Sequence, residues 1–213
     1  MHKTKNHARW ALVGLLNTAV AGFVCQAQLP IVSVDMDTVT AGIQNTLFRS
    51  PGDPSAFTVA LMLQAGGAGV SSYSVSAQFD NTELTYSADV ESLPAGFTLN
   101  ITPGSGGLTI GVAPGVNQVS SFEAATFGAG PVLGAPFQIG TITFTQGAVA
   151  DDGLADITLW VAGFDTMFDN TVPFGLPLVP VSNAGFLIPE PGVIYGAALL
   201  MGFAGIHYYR KRR

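Results

Sequence analysis

Residues 57–79 read FTVALMLQAGGAGVSSYSVSAQF, and this stretch decides the fold class. In its first half Phe57, Val59, Leu61 and Leu63 alternate with Thr58, Ala60, Met62 and Gln64. In its second, Tyr73, Val75, Ala77 and Phe79 alternate with Ser72, Ser74, Ser76 and Gln78. An extended chain turns successive side chains to opposite faces, so period two gives each segment one face for a core and one for water. Between them Ala65-Gly66-Gly67-Ala68-Gly69 supplies the turn. Strands wet on one face belong to antiparallel sheets.

Working outward, the same period recurs twice. Phe97, Leu99 and Ile101 alternate with Thr98, Asn100 and Thr102, predicting a strand over 97–102. Leu108, Ile110 and Val112, alternating with Thr109, Gly111 and Ala113, predict another with those three side chains on its core face. Pro103-Gly104-Ser105-Gly106-Gly107 reads as the hairpin between them. Later strands are predicted over 138–145, 156–164 and 179–188. Short strands broken regularly by Gly and Pro predict an all-β protein, an antiparallel jelly-roll-like β-sandwich spanning 28–188. No inner boundary and no repeat interrupts it.

Charge narrows the function. Between residues 28 and 188 stand thirteen acids and one cation, Arg49, a balance of 1 − 13 = −12. Such a body repels phosphate backbones, which excludes nucleic-acid partners. The single cysteine, Cys25, precedes the body, so neither a disulfide frame nor a cysteine nucleophile is available there.

The flanking segments read as addresses. MHKTKNHAR, an apolar run from Trp10 to Val24 and then Cys25-Gln26-Ala27 have the layout of a signal peptide over 1–27, cut after Ala27. Phe23 and Val24 stand where a lipoprotein needs small residues before its cysteine. At the other end Gly192 to Tyr209 is an uncharged apolar run long enough for one transmembrane helix, followed by Arg210, Lys211, Arg212 and Arg213. Lys and Arg stay on the cytoplasmic side, which acts as a stop signal and places the body outside. Signal peptidase and the Sec machinery are the implied export partners.

Pro189-Glu190-Pro191 stands immediately before that helix. Motif, helix and basic cluster together resemble the PEP-CTERM sorting domain of Gram-negative bacteria. The resemblance covers 189–213 and implies a further partner, an exosortase-like membrane enzyme that processes such tails in species making exopolysaccharide and biofilm. It also implies an inner-membrane-anchored precursor with a periplasmic body, passed on to the cell surface or secreted. Two prolines hold the motif extended and remove backbone donors, which suits an enzyme that grips an open strand.

The stretch FTVALMLQAGGAGVSSYSVSAQFDNTELTY, with PFQIGTITFT and DITLWVAGFD later, is similar to cohesin-like domains, jelly-roll sandwiches sharing architecture with carbohydrate-binding modules. This likeness covers about residues 31–165 and implies a fold rather than a function.

Catalytic chemistry finds few residues. The body has no His, Lys or Cys, so a serine nucleophile lacks its usual base, and zinc or copper lacks its usual ligands. No catalytic residue, metal site or cofactor is therefore assigned. Calcium alone suits the oxygen donors present, with Asp35 and Asp37, Asp80 with Glu83, and Asp151 and Asp152 with Asp156 as the acidic groups; none has calcium-loop spacing. In the 156–164 strand, Ile157, Leu159 and Val161 take one face, which puts Trp160 on the polar face as a candidate carbohydrate contact. Arg49 and Asp53, around Pro51-Gly52-Asp53-Pro54, read as a surface loop. The expectation is a non-enzymatic, exported structural protein of the cell surface or exopolysaccharide matrix. The alternatives are a carbohydrate-binding or adhesion module, and a secreted hydrolase working through carboxylates.

Overall fold

A computed structural model describes residues 28–50, 53–98, 107–126, 135–147, 152–170 and 175–189. The segments read as signal peptide and transmembrane helix, with Glu190 and Pro191, lie outside the described residues. Among the described residues twelve strands follow in chain order: β1 (Ile31–Asp35), β2 (Thr46–Arg49), β3 (Ala56–Gln64), β4 (Ser72–Asp80), β5 (Leu84–Glu91), β6 (Gly107–Ala113), β7 (Val116–Ala125), β8 (Phe137–Gln146), β9 (Ile157–Leu159), β10 (Thr166–Phe168), β11 (Val181–Asn183) and β12 (Phe186–Pro189). One sheet runs β11-β1-β3-β8-β5. The other runs β10-β4-β7-β6, with β9 also paired to β4, and β12 with β2 makes a separate ribbon.

The quoted stretch forms β3 and β4, one central strand from each sheet. Val59, Leu61 and Leu63 of β3 are buried, as are Tyr73, Val75, Ala77 and Phe79 of β4. The inner faces meet through aromatic contacts. Phe79 stands edge-on to Phe144 of β8 at 5.0 Å, and Tyr73 to Phe97 at 5.2 Å. At the middle of β8 the facing residue is Gly140; a Cβ there would come within 2.3 Å of the Phe122 ring on β7. The missing side chain makes room for that ring.

Several sequence expectations are corrected. β6 is the edge of its sheet, and Leu108, Ile110 and Val112 are all exposed, Ile110 by 76%. Alternation alone cannot tell a core strand from an edge strand whose two faces are both wet. The register of β6 on β7 also shifts after Thr109, and Gly111 takes a positive φ of 69° there. Such a bulge twists an edge away from further pairing. Phe97 and Thr98 are not in a strand, although Phe97 is buried; the rest of the predicted 97–102 strand lies outside the described residues.

The 156–164 strand stops at Leu159 and the chain re-enters the sheet as β10. The 179–188 strand divides into β11 and β12 around Ala184 and Gly185. Two pairings, β1 with β11 and β2 with β12, are parallel rather than antiparallel. β2 ends in Arg49, which is not a loose loop residue. Its guanidinium contacts Asp53 at 2.9 Å, donates to the Ser55 carbonyl and hydroxyl, and lies 4.7 Å over the Phe57 ring.

Candidate functional site

The most unusual backbone lies between β9 and β10. Trp160 has φ 71°, the one non-glycine in the left-handed region among the described residues. A bulky residue there is strained by its Cβ and persists only where its surroundings hold it. Two things hold it. Its N–H donates to the Ser76 carbonyl, and its indole packs partly buried against the core. Trp160 therefore does not stand on the polar face of a continuing strand. The left-handed residue turns the chain out of β4's register, and 160–165 forms a loop on the sheet edge.

Asp165 closes that loop. Its Oδ2 accepts the N–H groups of Ser76 and Val161, both at 2.8 Å, and its Oδ1 accepts the Ser76 hydroxyl at 2.8 Å. The residue is only 5% exposed. Burial pushes the carboxyl above its ordinary range, against the opposing pull of these hydrogen bonds. The sequence reading missed Asp165, because its main partner is 89 positions away. The closed loop presents Phe164, 57% exposed, and β10 adds Phe168, 36% exposed. Beside this edge the outer face of the sheet carries hydroxyls and amides. Ser74 donates to Glu123, and Gln78 donates to Gln118, which donates on to Ser120.

The other buried acids also hold backbone. Asp156 accepts the Leu187 N–H at 2.6 Å, Asp169 the Leu176 N–H at 2.7 Å, and Glu83 the Asp152 N–H at 2.9 Å. Asp35 accepts from Gln44 N–H at 3.0 Å and from Asp37 N–H. Asp37 is half-buried, and the Thr40 hydroxyl and Val39 N–H hold its carboxyl below the usual range. Among the described residues no three carboxylates converge as a metal site. Asp151, one of the acids considered for calcium, lies outside them.

The crevices lined by described residues include two of similar size. One of about 350 Å³ separates the edge strands of the two sheets, between Leu84, Thr85 and Tyr86 of β5 and Leu108 of β6. Tyr86 donates its hydroxyl to Asp89, and burial together with that carboxylate pushes its pKa up to about 12. The other, about 330 Å³, is lined by Gln78, Asp80, Asp156 and Thr158 among others. It holds two carboxylates, but Asp80 accepts from Thr82 N–H and hydroxyl, and Asp156 is tied to Leu187.

Comparison with protein families returned no match, and no curated protein matches the chain. Solved structures similar to it include cohesin domains. The sixth cohesin of scaffoldin B from Acetivibrio cellulolyticus, solved with a dockerin, is 18% identical and covers 76% of this chain and 100% of its own, with a TM-score of 0.46. A cohesin from Clostridium thermocellum, also solved with a dockerin, is 12% identical over 76% of this chain and 100% of its own, at 0.43. The non-cellulosomal cohesin of the archaeon Archaeoglobus fulgidus is 11% identical over 79% of this chain and 97% of its own, at 0.41. Similarity at this level carries no inference about binding. The sandwich assignment stands on this chain's own sheets.

Proposed function

We propose that the chain is an exported, non-catalytic sandwich domain of the cell surface or exopolysaccharide matrix. Export removes 1–27, and an exosortase-like enzyme processes the tail at Pro189-Glu190-Pro191. The observation that carries the non-catalytic part is the use made of the buried carboxylates. Asp35, Glu83, Asp156, Asp165 and Asp169 each accept backbone N–H groups from loops or neighbouring strands. A carboxylate bound in this way orders the chain and has fewer lone pairs for a substrate. With no His, Lys or Cys in 28–188, the acids serve architecture. The tail reading rests on the order of motif, apolar run and Arg210–Arg213.

The test compares intact masses of the chain and its Glu190→Ala variant in a host with the enzyme. A plain membrane anchor gives two identical, unprocessed masses. A sorting tail gives a processed parent and an uncut variant.

A second reading, a carbohydrate-binding or adhesion module, is favoured by the aromatic edge. Phe168 stands opposite Ser72 on β4, Phe164 is exposed in the loop before it, and Trp160 is partly buried in the same loop; aromatic faces next to hydrogen-bonding groups suit sugar rings. A glycan array probed with the body and with Phe164→Ala decides it. Signals lost in the variant support the reading, and no signal from the parent removes it.

A further inference from the structure

Two irregular edge strands build the crevice between β5 and β6. β5 ends one sheet and β6 ends the other. The space of about 350 Å³ between them is lined by Asn81, Leu84, Thr85, Tyr86, Leu108 and Asn117. Both strands bulge beside it. The register of β5 on β8 shifts between Tyr86 and Ala88, and that of β6 on β7 between Thr109 and Ala113. Bulges re-aim side chains and backbone groups, and they gather next to binding sites.

The bulge in β6 fixes a pair of side-chain amides. Gly111, left-handed at φ 69°, donates its N–H to Asn117 Oδ1 at 2.8 Å. A backbone N–H can only donate, so the Asn117 atom that faces it is the oxygen. Asn81 Nδ2 donates to the same oxygen at 2.9 Å. Asn117 thus keeps two N–H donors on Nδ2 and Asn81 keeps its carbonyl acceptor, neither with a partner among the described residues. A donor and an acceptor set together in this way match two neighbouring hydroxyls, since each hydroxyl can accept and donate.

The bulge in β5 holds the other wall. Tyr86 packs partly buried against the core, and its hydroxyl donates across the bulge to Asp89. Buried Leu84 and exposed Leu108 add apolar surface. None of the six lining residues is charged, although the body carries thirteen acids and one cation. An anionic ligand would enter against that field and meet no cation, and a cationic one would find no carboxylate in the lining. A sugar ring offers an apolar carbon face and a rim of hydroxyls, which fit the aromatic wall and the amides. The volume lies at the small end of the roughly 300–1,000 Å³ of small-molecule sites, which suits one ring or a chain end.

We infer that this crevice binds an uncharged sugar ring, with the ring face against Tyr86 and two neighbouring hydroxyls on Asn117 Nδ2 and Asn81 Oδ1. It lies at the opposite edge of its sheet from Phe168 on β10, so it holds or fails independently of sugar binding at the aromatic edge.

The test titrates the full-length chain, in a sugar-free detergent, with glucose, galactose, mannose and N-acetylglucosamine. Glucuronic acid is the charged control, and amide NMR shifts report where each probe binds. At least one neutral sugar should bind at millimolar strength, because an open crevice holds a single ring. The Gly111 N–H and the side-chain amides of Asn81 and Asn117 should move. No response to any of the four overturns the inference, and so does glucuronic acid binding as well as they do. Asn117→Asp keeps an oxygen for the Gly111 and Asn81 N–H groups but loses the free donors and adds a charge. Its affinity should fall about tenfold or more. Tyr86→Leu should fall similarly through loss of the ring, and it answers the question where the first variant does not fold. Phe164→Ala should bind like the parent. Unchanged affinity in both crevice variants, or loss in Phe164→Ala alone, overturns the inference. A short Leu-rich peptide that moves the crevice signals where the sugars do not would make this a peptide slot and overturn it too.

Discussion

Asp165 offers the sharpest perturbation. Its Oδ2 takes two backbone N–H groups and its Oδ1 the Ser76 hydroxyl. Replacing it by Ala strands two buried donors, each costing about 1–3 kcal/mol, so Asp165→Ala should lose about 2–6 kcal/mol. For a domain of this size that lowers the melting temperature by roughly 5–20 °C. Asn behaves differently. Its carbonyl can accept both N–H groups, and its amide can donate to Ser76 Oγ once that hydroxyl rotates. Asp165→Asn should therefore remain within about 1 kcal/mol of the parent at neutral pH.

The pH dependence separates the two further. Burial raises the Asp165 pKa in the folded state. The native state thus holds the proton more tightly than the unfolded chain does. The associated stability is fully present below the ordinary carboxylate range and is lost as pH rises through the raised pKa. Asn does not titrate, so its stability relative to the parent should improve across that window as pH rises, while the remaining carboxylates cancel in the comparison. Denaturant melts of the 28–189 fragment report this directly, because Trp160, in the loop that Asp165 closes, is its only tryptophan. An Ala variant within about 0.5 kcal/mol of the parent would refute the clamp. An Asn variant as damaged as Ala would refute the hydroxyl rotation.

Three further outcomes are expected. Gly140→Ala places a methyl 2.3 Å from the Phe122 ring and should cost about 1–3 kcal/mol, with part recovered on adding Phe122→Leu, as read by urea midpoints. Ile110→Thr on the exposed edge of β6 should change stability by less than about 0.5 kcal/mol; a larger loss would mean the edge is covered. Edman sequencing of the exported protein should begin at Gln28, and a mature chain still carrying Trp10–Val24 would refute the signal-peptide reading.

The alternation in 57–79 was enough to place β3 and β4 and to name the buried side of each, because period two is a local property of an extended chain. The flanking addresses are equally a matter of sequence order, and they stand as proposals. The same period misled at β6, since burial depends on whether a second sheet lies over the strand. It misled again at Trp160, where a hydrogen bond to Ser76 and packing on the core turn the chain out of its strand. Asp165 and Asp156 were not legible as anchors, because a carboxylate reads as solvated until folding brings donors to it from distant positions, 89 residues away for Ser76 and 31 for Leu187. Composition settled that the body between 28 and 188 is acidic and lacks His, Lys and Cys. Only the tertiary structure decided that its buried acids hold loops and strands, and that the first proline of the tail motif ends a strand of the domain, because both follow from contacts between segments far apart in the chain.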